Sequence, residues 1–362
     1  MNRLFIGSLH YLGLIEFAIN RTIGNYKPSW DNMKKDGTLP LPFYLNAILT
    51  QRCNLNCIMC HEQGNPKSRE LELSTDQIFK LIDNAGPVRV AAVTGGEILI
   101  RSDIWEILGY LDSRNIELKI STNAYAVTDA IADRIAGFRH IGNVAISIDG
   151  PELIHNAIRG RKDAFKRTTE AIRLFKKRGL RVSITSVLQP DNVDSMGEIL
   201  ETCHALRVDR VSIIPFTYKK PGEEALVQKM FPGCTVRLPE KADTYRPFTE
   251  KQLEAVKAAI KRYRARGLLS LFYPPFVGNH TGAYVADRPI AGSFVCKQFY
   301  QLFVNEQGKM YPCPFLDKSF GDIHTRPVAE LWNSDELRDF RKTVALGNLF
   351  PFCRRCCALH RL

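Results

Sequence analysis

From Phe43 to Pro215 six short runs rich in β-branched and apolar residues alternate with stretches of helical period, and nothing else in the chain constrains its fold as strongly. Strands joined through a helix lie parallel, because the helix carries the chain back along the sheet before the next strand begins. The runs are Phe43–Thr50, Val88–Thr94, Ile116–Thr122, Val144–Asp149, Val182–Leu188 and Arg210–Pro215. Helices are expected over Thr75–Asn84, Ser102–Arg114, Thr128–Gly137, Ala164–Arg178 and Val193–Leu206. Ser74-Thr75-Asp76 and Arg101-Ser102-Asp103 read as helix starts, and Gly179 after a basic last turn reads as a stop. Six units fall short of a closed eightfold barrel. The pattern therefore predicts an α/β domain built as a partial (β/α)6, TIM-like barrel, whose functional groups gather on the loops after the carboxyl ends of the strands.

The first of those loops carries Cys53, Cys57 and Cys60, spaced Cys-x3-Cys-x2-Cys. Three thiolates without a fourth can hold a four-iron cluster and leave one iron open to bind something else. The other reading is a zinc knuckle. Structural zinc takes a closed set of four nitrogen or sulfur ligands; His61 could complete it, but it adjoins Cys60 and would be strained to do so.

The spacing resembles that of the radical S-adenosylmethionine (radical SAM) superfamily, and the likeness runs from about Phe43 to Phe216. The resemblance implies a [4Fe-4S] cluster whose open iron chelates S-adenosyl-L-methionine, with Cys53, Cys57 and Cys60 at the catalytic centre. Reductive cleavage then yields methionine and a 5′-deoxyadenosyl radical that takes a hydrogen atom from a substrate. Further cofactor contacts are implied at the later strand ends. Gly95 and Gly96 let backbone approach the ligand, and the Glu97 carboxylate accepts hydrogen bonds from the methionine ammonium. Asn123 follows the third strand, while Ser147 and Asp149 at the fourth share one strand face and reach for ribose hydroxyls. Arg159, in a loop with His155 and Gly160, either contacts the methionine carboxylate or caps a helix. Met59 stands where the family often has an aromatic residue, and is large and apolar enough to pack on adenine. Ser186 and Pro215 are assigned to the same mouth.

Beyond the sixth run, Thr217–Pro247 is rich in Pro, Gly and Lys with recurring apolar residues, as in an insertion or lid, and Thr249–Arg266 reads as a helix. Gln307-Gly308 between two apolar runs signals a β-hairpin that closes at Cys313. With Cys296, Cys353 and Cys356 this makes four thiolates, enough to close a [4Fe-4S] cluster and equally suited by count to zinc. The region resembles the twitch domain, the short relative of the SPASM domain. That likeness implies one auxiliary [4Fe-4S] cluster on Cys296, Cys313, Cys353 and Cys356, in a small α+β domain, with Cys357 as a spare. The expected organisation is an N-terminal helix and lead-in (1–42), the barrel (43–216), an insertion and linking helix (217–268) and the auxiliary domain (269–362).

Composition narrows the function classes. The formal charge of +12 owes much to Arg161-Lys162, Lys166-Arg167, Arg173 and Lys176-Lys177-Arg178, a solvated helix side. No aromatic-interleaved recognition motif accompanies it, so a nucleic-acid partner is not expected. The ten cysteines fall in three groups with Cys203 and Cys234 as outliers, unlike a secreted disulfide framework, and a cytoplasmic location is expected. No stretch approaches a membrane span; Leu4–Ala18, interrupted by His10 and Glu16, reads as a packed helix, with membrane-surface docking the minor alternative. The leading expectation is a radical SAM enzyme that oxidises or cross-links a peptide, drawing electrons from a donor such as flavodoxin or ferredoxin. Dehydrogenation or epimerisation of a sugar or alcohol and modification of a lipid are alternatives. A non-catalytic iron-sulfur or zinc-binding protein would have no use for Gly95-Gly96-Glu97 or for Ser147 and Asp149.

Overall fold

The computed structural model describes residues 26–60, 68–238, 248–272, 294–346 and 349–361. All six expected strands form, as β1 (Tyr44–Ile48), β2 (Val90–Thr94), β3 (Glu117–Thr122), β4 (Ile141–Ser147), β5 (Val182–Leu188) and β6 (Arg210–Pro215). After the first helix of the described residues, α1 (Tyr26–Lys35), the connections carry α2 (Thr75–Asn84), α3 (Ile104–Ser113), α4 (Asp129–Ala136), α5 (Glu152–Arg159), α6 (Ala164–Lys177) and α7 (Met196–Ala205). Adjacent strands pair in parallel register, Ile48 against Thr94, Val93 against Ile120, Ile146 against Ile184 and Leu188 against Pro215. Their carboxyl ends therefore open on one rim. The expected start of α2 is a capping box, with Ser74 and Gln77 satisfying each other's backbone N–H groups.

The sheet is wider than the six-unit pattern predicts. After α8 (Glu223–Met230) and α9 (Glu250–Ala265), β7 (Leu269–Phe272) adds to β6 in parallel. At the opposite edge β9 (Leu302–Val304) pairs in parallel with β1, and β10 (Met310–Tyr311) closes an antiparallel hairpin with β9. Among the described residues nine strands thus run in the order β10-β9-β1-β2-β3-β4-β5-β6-β7. Both additions cover edges that would otherwise present unpaired N–H and C=O groups. The expected hairpin turn is present: Gly308 adopts φ +79°, and the Asn305 side chain accepts from the Gln307 and Lys309 amides at 3.1 and 2.8 Å. This hairpin is an edge of the main sheet, so the carboxyl-terminal cysteines are built onto the barrel.

The core lies between the strands (Val93, Leu118, Ile120, Val144, Val182, Ile184, Val211 and Ile213) and the inner faces of the helices, among them Ile78, Ile104, Leu108, Ile172, Phe175 and Ile199. A second two-stranded sheet pairs β8 (Phe294–Cys296) with β11 (Leu359–Arg361). Among the described residues the remaining α-helices are α10 (Val328–Trp332) and α11 (Asp335–Leu346), and α11 packs against α1. Leu4–Ala18 lies outside the described residues. Among the described residues no helix is long and apolar enough to cross a membrane.

Candidate active site

The cysteine loop is seated by backbone contacts that continue beyond β1 and β2. Leu49 donates to the Thr94 carbonyl at 2.9 Å, Gly96 to that of Thr50 at 2.8 Å and Glu97 to that of Arg52 at 2.9 Å. Side chains at 95 and 96 would abolish this approach, since a Cβ on Gly95 would stand 2.2 Å from the Thr50 oxygen and one on Gly96 2.3 Å from that of Arg52. The glycines expected to admit a ligand thus admit the stem of the cysteine loop. A buried ionic network fixes that stem. Arg52 grips the Glu72 carboxylate at 2.8 and 3.0 Å, the Thr50 hydroxyl donates to the same carboxylate, and Arg101 donates to the Leu49 and Leu73 carbonyls at 2.6 and 3.0 Å. Asp103, in the expected helix start Arg101-Ser102-Asp103, makes no side-chain cap bond and instead receives Arg101 at 2.7 Å and Thr75 at 2.9 Å.

The ends of β3 and α5 send donors to the cysteine sulfurs. Asn123 donates from Nδ2 to Cys53 Sγ at 3.6 Å and to Asn54 Oδ1 at 2.8 Å. Arg159 donates from Nη1 to Cys57 Sγ at 3.6 Å while its Nε holds Asp149 at 2.7 Å. Burial raises the pKa of the Cys53 and Cys57 thiols, and the Arg159 charge opposes the rise at Cys57. The loop opens on a cavity of about 420 Å³ at the carboxyl ends of the strands. Cys53, Cys57, Met59, Cys60, Gly95, Gly96, Asn123, Ser147, Arg159 and Pro215 line it, together in space as the sequence reading requires.

Glu97 and Asp149 are not on that wall. Glu97 is 1% exposed, and its carboxylate accepts from the Leu99 amide at 3.0 Å, the Thr122 hydroxyl at 2.9 Å and the Asn123 amide at 2.7 Å. Burial raises its pKa, and these three donors pull the other way. It ties the end of β2 to the end of β3 and so aims Asn123. Asp149 is fully buried beneath Arg159 and also accepts from the Val187 amide at 2.8 Å. Arg159 accordingly neither caps its helix, which ends at the left-handed Gly160, nor stands alone before a ligand carboxylate. It spans Asp149 and Cys57. His155 lies behind, accepting from the Asp149 amide at 3.2 Å, and burial lowers its pKa to about 4, so the ring is neutral. Ser186 is buried and absent from the cavity wall, whereas Thr185 and Val187 on the alternate face line it. The parallel register places Thr185 beside Ser147, and that pairing is the signal that distinguishes Thr185 from Ser186.

The carboxyl-terminal thiols converge from distant stretches. β8 pairs with β11 so that Cys296 lies opposite Leu359, and the Cys356 amide donates to the Cys353 carbonyl at 3.0 Å. Cys313 follows β10. All four are buried, and Cys313, Cys353 and Cys356 each feel the charge of others in the set. Burial pushes Cys296 up to about 11 and raises Cys313 and Cys353 well above the usual thiol range. Cys356 and Cys357 share a hydrogen bond that leaves Cys356 the proton and lowers Cys357. Unmetallated thiolates are thus strongly disfavoured here, and the positive charge of a metal cluster would reverse that balance. Among the described residues no three His, Cys, Asp or Glu side chains converge as tightly as a single ion requires.

The segment after β6 clasps this set. Glu223 pairs with Arg355, which stands between Cys353 and Cys356, and Val236 bridges to Leu316 beyond Cys313. Cys357 and Phe315 reach the barrel cavity, so the two cysteine groups share one chamber wall. Sequence reasoning set Cys357 aside as a spare and did not single out Phe315. Only the packing of α8 and the hairpin on the rim assigns them there.

A family model described as the Radical SAM superfamily matches residues 47–203, and one described as an iron-sulfur cluster-binding domain, SPASM, matches residues 296–357. Mycofactocin maturase MftC of Mycolicibacterium smegmatis is 32% identical over 340 residues, covering 88% of this chain and 79% of that protein. An AdoMet-dependent heme synthase of Nitratidesulfovibrio vulgaris is 26% identical over 81% of the chain and 79% of its own length. PqqA peptide cyclase of Granulibacter bethesdensis is 26% identical over 88% and 80%. Among solved structures, Streptococcus suis SuiB bound to S-adenosylmethionine shares the fold, with a TM-score of 0.66 at 15% identity, over 98% of this chain and 83% of that one.

Proposed function

Because the chain belongs to the radical SAM superfamily and carries a SPASM iron-sulfur domain, and so uses S-adenosylmethionine and [4Fe-4S] clusters, we propose that it oxidises or cross-links a peptide. The observation that carries this reading is that Cys296, Cys313, Cys353 and Cys356 are all buried, and that their neighbour Cys357 lies on the wall of the cavity that Cys53, Cys57 and Cys60 open on. S-adenosylmethionine, a cluster with an open iron and a cluster closed by four thiolates together supply hydrogen-atom abstraction and one-electron oxidation. The chain's own residues hold and orient. Cys53, Cys57 and Cys60 hold the first cluster, Asn123 and Arg159 aim donors at its sulfurs, and Met59, Ser147 and Thr185 line the space for nucleoside and substrate. Gly95 and Gly96 keep the loop against β2, while Glu97 and Asp149 act from beneath the wall as positioning residues. A peptide substrate is supported by the likeness to a protein named as a peptide cyclase.

A tetrapyrrole is the second reading. The likeness to heme synthases favours it, as do the apolar walls at Met59, Ile214, Phe216 and Phe315. The test is anaerobic reconstitution with dithionite and S-adenosylmethionine, with 5′-deoxyadenosine measured in the presence of synthetic peptides or tetrapyrroles. Release above the uncoupled rate, with a peptide losing a hydrogen pair by mass spectrometry, is the expected result. Acceleration by a tetrapyrrole and by no peptide would transfer the assignment to the second reading.

A further inference from the structure

The cysteine loop comes to the outside of the molecule at Asn56 and Ile58, both exposed. Beside that outcrop runs a strip of cations that the cavity does not use. Arg161 donates from Nη2 to the Asn54 carbonyl at 3.2 Å, and a Cβ on Gly160 would stand 2.8 Å from the Asn56 oxygen, so the start of the strip touches the loop itself. Exposed Lys162 follows just before α6, and Lys166 and Arg173, two turns apart on one face, extend the strip along the exposed side of that helix.

Neighbouring cations are neutralised locally: Arg167 pairs with Asp163, Lys176 with Asp209, and Arg178 with Asp129 and Asp133. Arg161, Lys162, Lys166 and Arg173 form no ion pair among the described residues. Glu170 interrupts the strip without cancelling it. Unpaired surface charges of one sign contribute little to stability, but they raise the encounter rate with a partner of opposite charge. A radical SAM enzyme needs one electron from outside the chain for each cleavage, delivered to the cluster on Cys53, Cys57 and Cys60. Where that loop approaches the surface, Arg161 is in contact with it and the strip begins.

We propose that Arg161, Lys162, Lys166 and Arg173, with exposed Ile58 as an apolar centre, form the docking surface for an acidic one-electron carrier protein of the flavodoxin type. The charge complements such a carrier, and the contact places it against the loop that holds the first cluster. An anionic substrate is disfavoured, because none of these four side chains lines the cavity.

The proposal rests on the family's need for an electron, and the test separates the two. The dissociation constant of purified flavodoxin for the reconstituted protein is measured by calorimetry at low and high salt. Lys162→Glu/Lys166→Glu/Arg173→Glu is compared with the wild type and with Lys261→Glu/Arg262→Glu on α9. The strip variant is expected to bind flavodoxin about tenfold or more weakly and to lose the salt dependence, while the α9 variant binds nearly as the wild type does. Flavodoxin-driven release of 5′-deoxyadenosine falls in parallel, and dithionite-driven release stays at the wild-type level, which also shows that the variant is folded. Lys162→Gln/Lys166→Gln carries the same prediction with a smaller effect. Equal flavodoxin affinity in strip variant and wild type, an equal loss in the α9 variant, or an equal fall with dithionite would each overturn the docking surface. Absence of dithionite-driven cleavage in the wild type would instead strike at the chemistry assigned to the cavity.

Discussion

The two cysteine groups differ in how far along the chain they gather their thiols and in how much solvent they leave on them. Cys53, Cys57 and Cys60 come from one loop, are half-buried and face a cavity, whereas Cys296, Cys313, Cys353 and Cys356 come from separate stretches and are buried. A loop of local ligands leaves one coordination position for a cofactor and depends on the sheet only to be pointed correctly. A buried set assembled from a strand, a hairpin end and a turn would be complete in itself once it held a cluster, and its folding and metal binding would then be one event. Damage to the first should therefore silence chemistry and spare the fold, while damage to the second should disturb both.

Replacing Cys53, Cys57 and Cys60 together by Ala is expected to abolish 5′-deoxyadenosine formation and remove about four irons per chain. Circular dichroism and the melting curve should stay close to wild type, because the three side chains contribute little to the core. Surviving cleavage would sink the assignment of the loop, and a collapsed melting curve would break the contrast. Cys313→Ala/Cys353→Ala should stop turnover of the true substrate while uncoupled cleavage of S-adenosylmethionine continues, and should lower the melting temperature. Mössbauer spectra of the wild type should show about eight irons as two [4Fe-4S] clusters. About four irons with zinc in the second set would make that set a structural support.

A smaller effect separates the regions by pH. His155, packed beneath the Asp149–Arg159–Cys57 connection, has its pKa lowered to about 4 by burial, against 6.5 in the unfolded chain. The unfolded state therefore binds the proton first. Stability is fully present above about pH 6.5 and declines as pH falls toward 4, by up to about 3 kcal/mol. Melting curves at pH 7.5, 5.5 and 4.5, run beside His155→Gln, would check it, and an equally steep decline in the variant would remove His155 as the cause. The smallest change is Glu97→Gln, which puts an amide NH2 among three donors and should cost about 1–3 kcal/mol of stability. Weaker S-adenosylmethionine binding at an unchanged melting temperature would move Glu97 from a positioning role to direct contact.

The six parallel strands, the helix starts at Ser74 and Thr249 and the hairpin turn at Gly308 are legible because each rests on a local rule: period, capping chemistry or a backbone conformation that favours glycine. β7 escapes, since Leu269–Phe272 is short and lacks a β-branched run, and its partner is the distant β6. Ser186 shows how thin the margin is within a strand, because one residue's shift in parity exchanges the cavity wall for the other face.

What this sequence determined by itself is the order of its strands and helices and the grouping of its cysteines along the chain, because spacing and side-chain chemistry are properties of neighbours along the chain. Tertiary structure decided the rest. It put Glu97 and Asp149 behind the wall, gave Gly95 and Gly96 to the cysteine loop and brought Cys357 and Phe315 to the cavity. A buried carboxylate takes whichever donors surround it, and the donors at Glu97 come from Leu99, Thr122 and Asn123, the last two set beside it only by the pairing of β2 with β3.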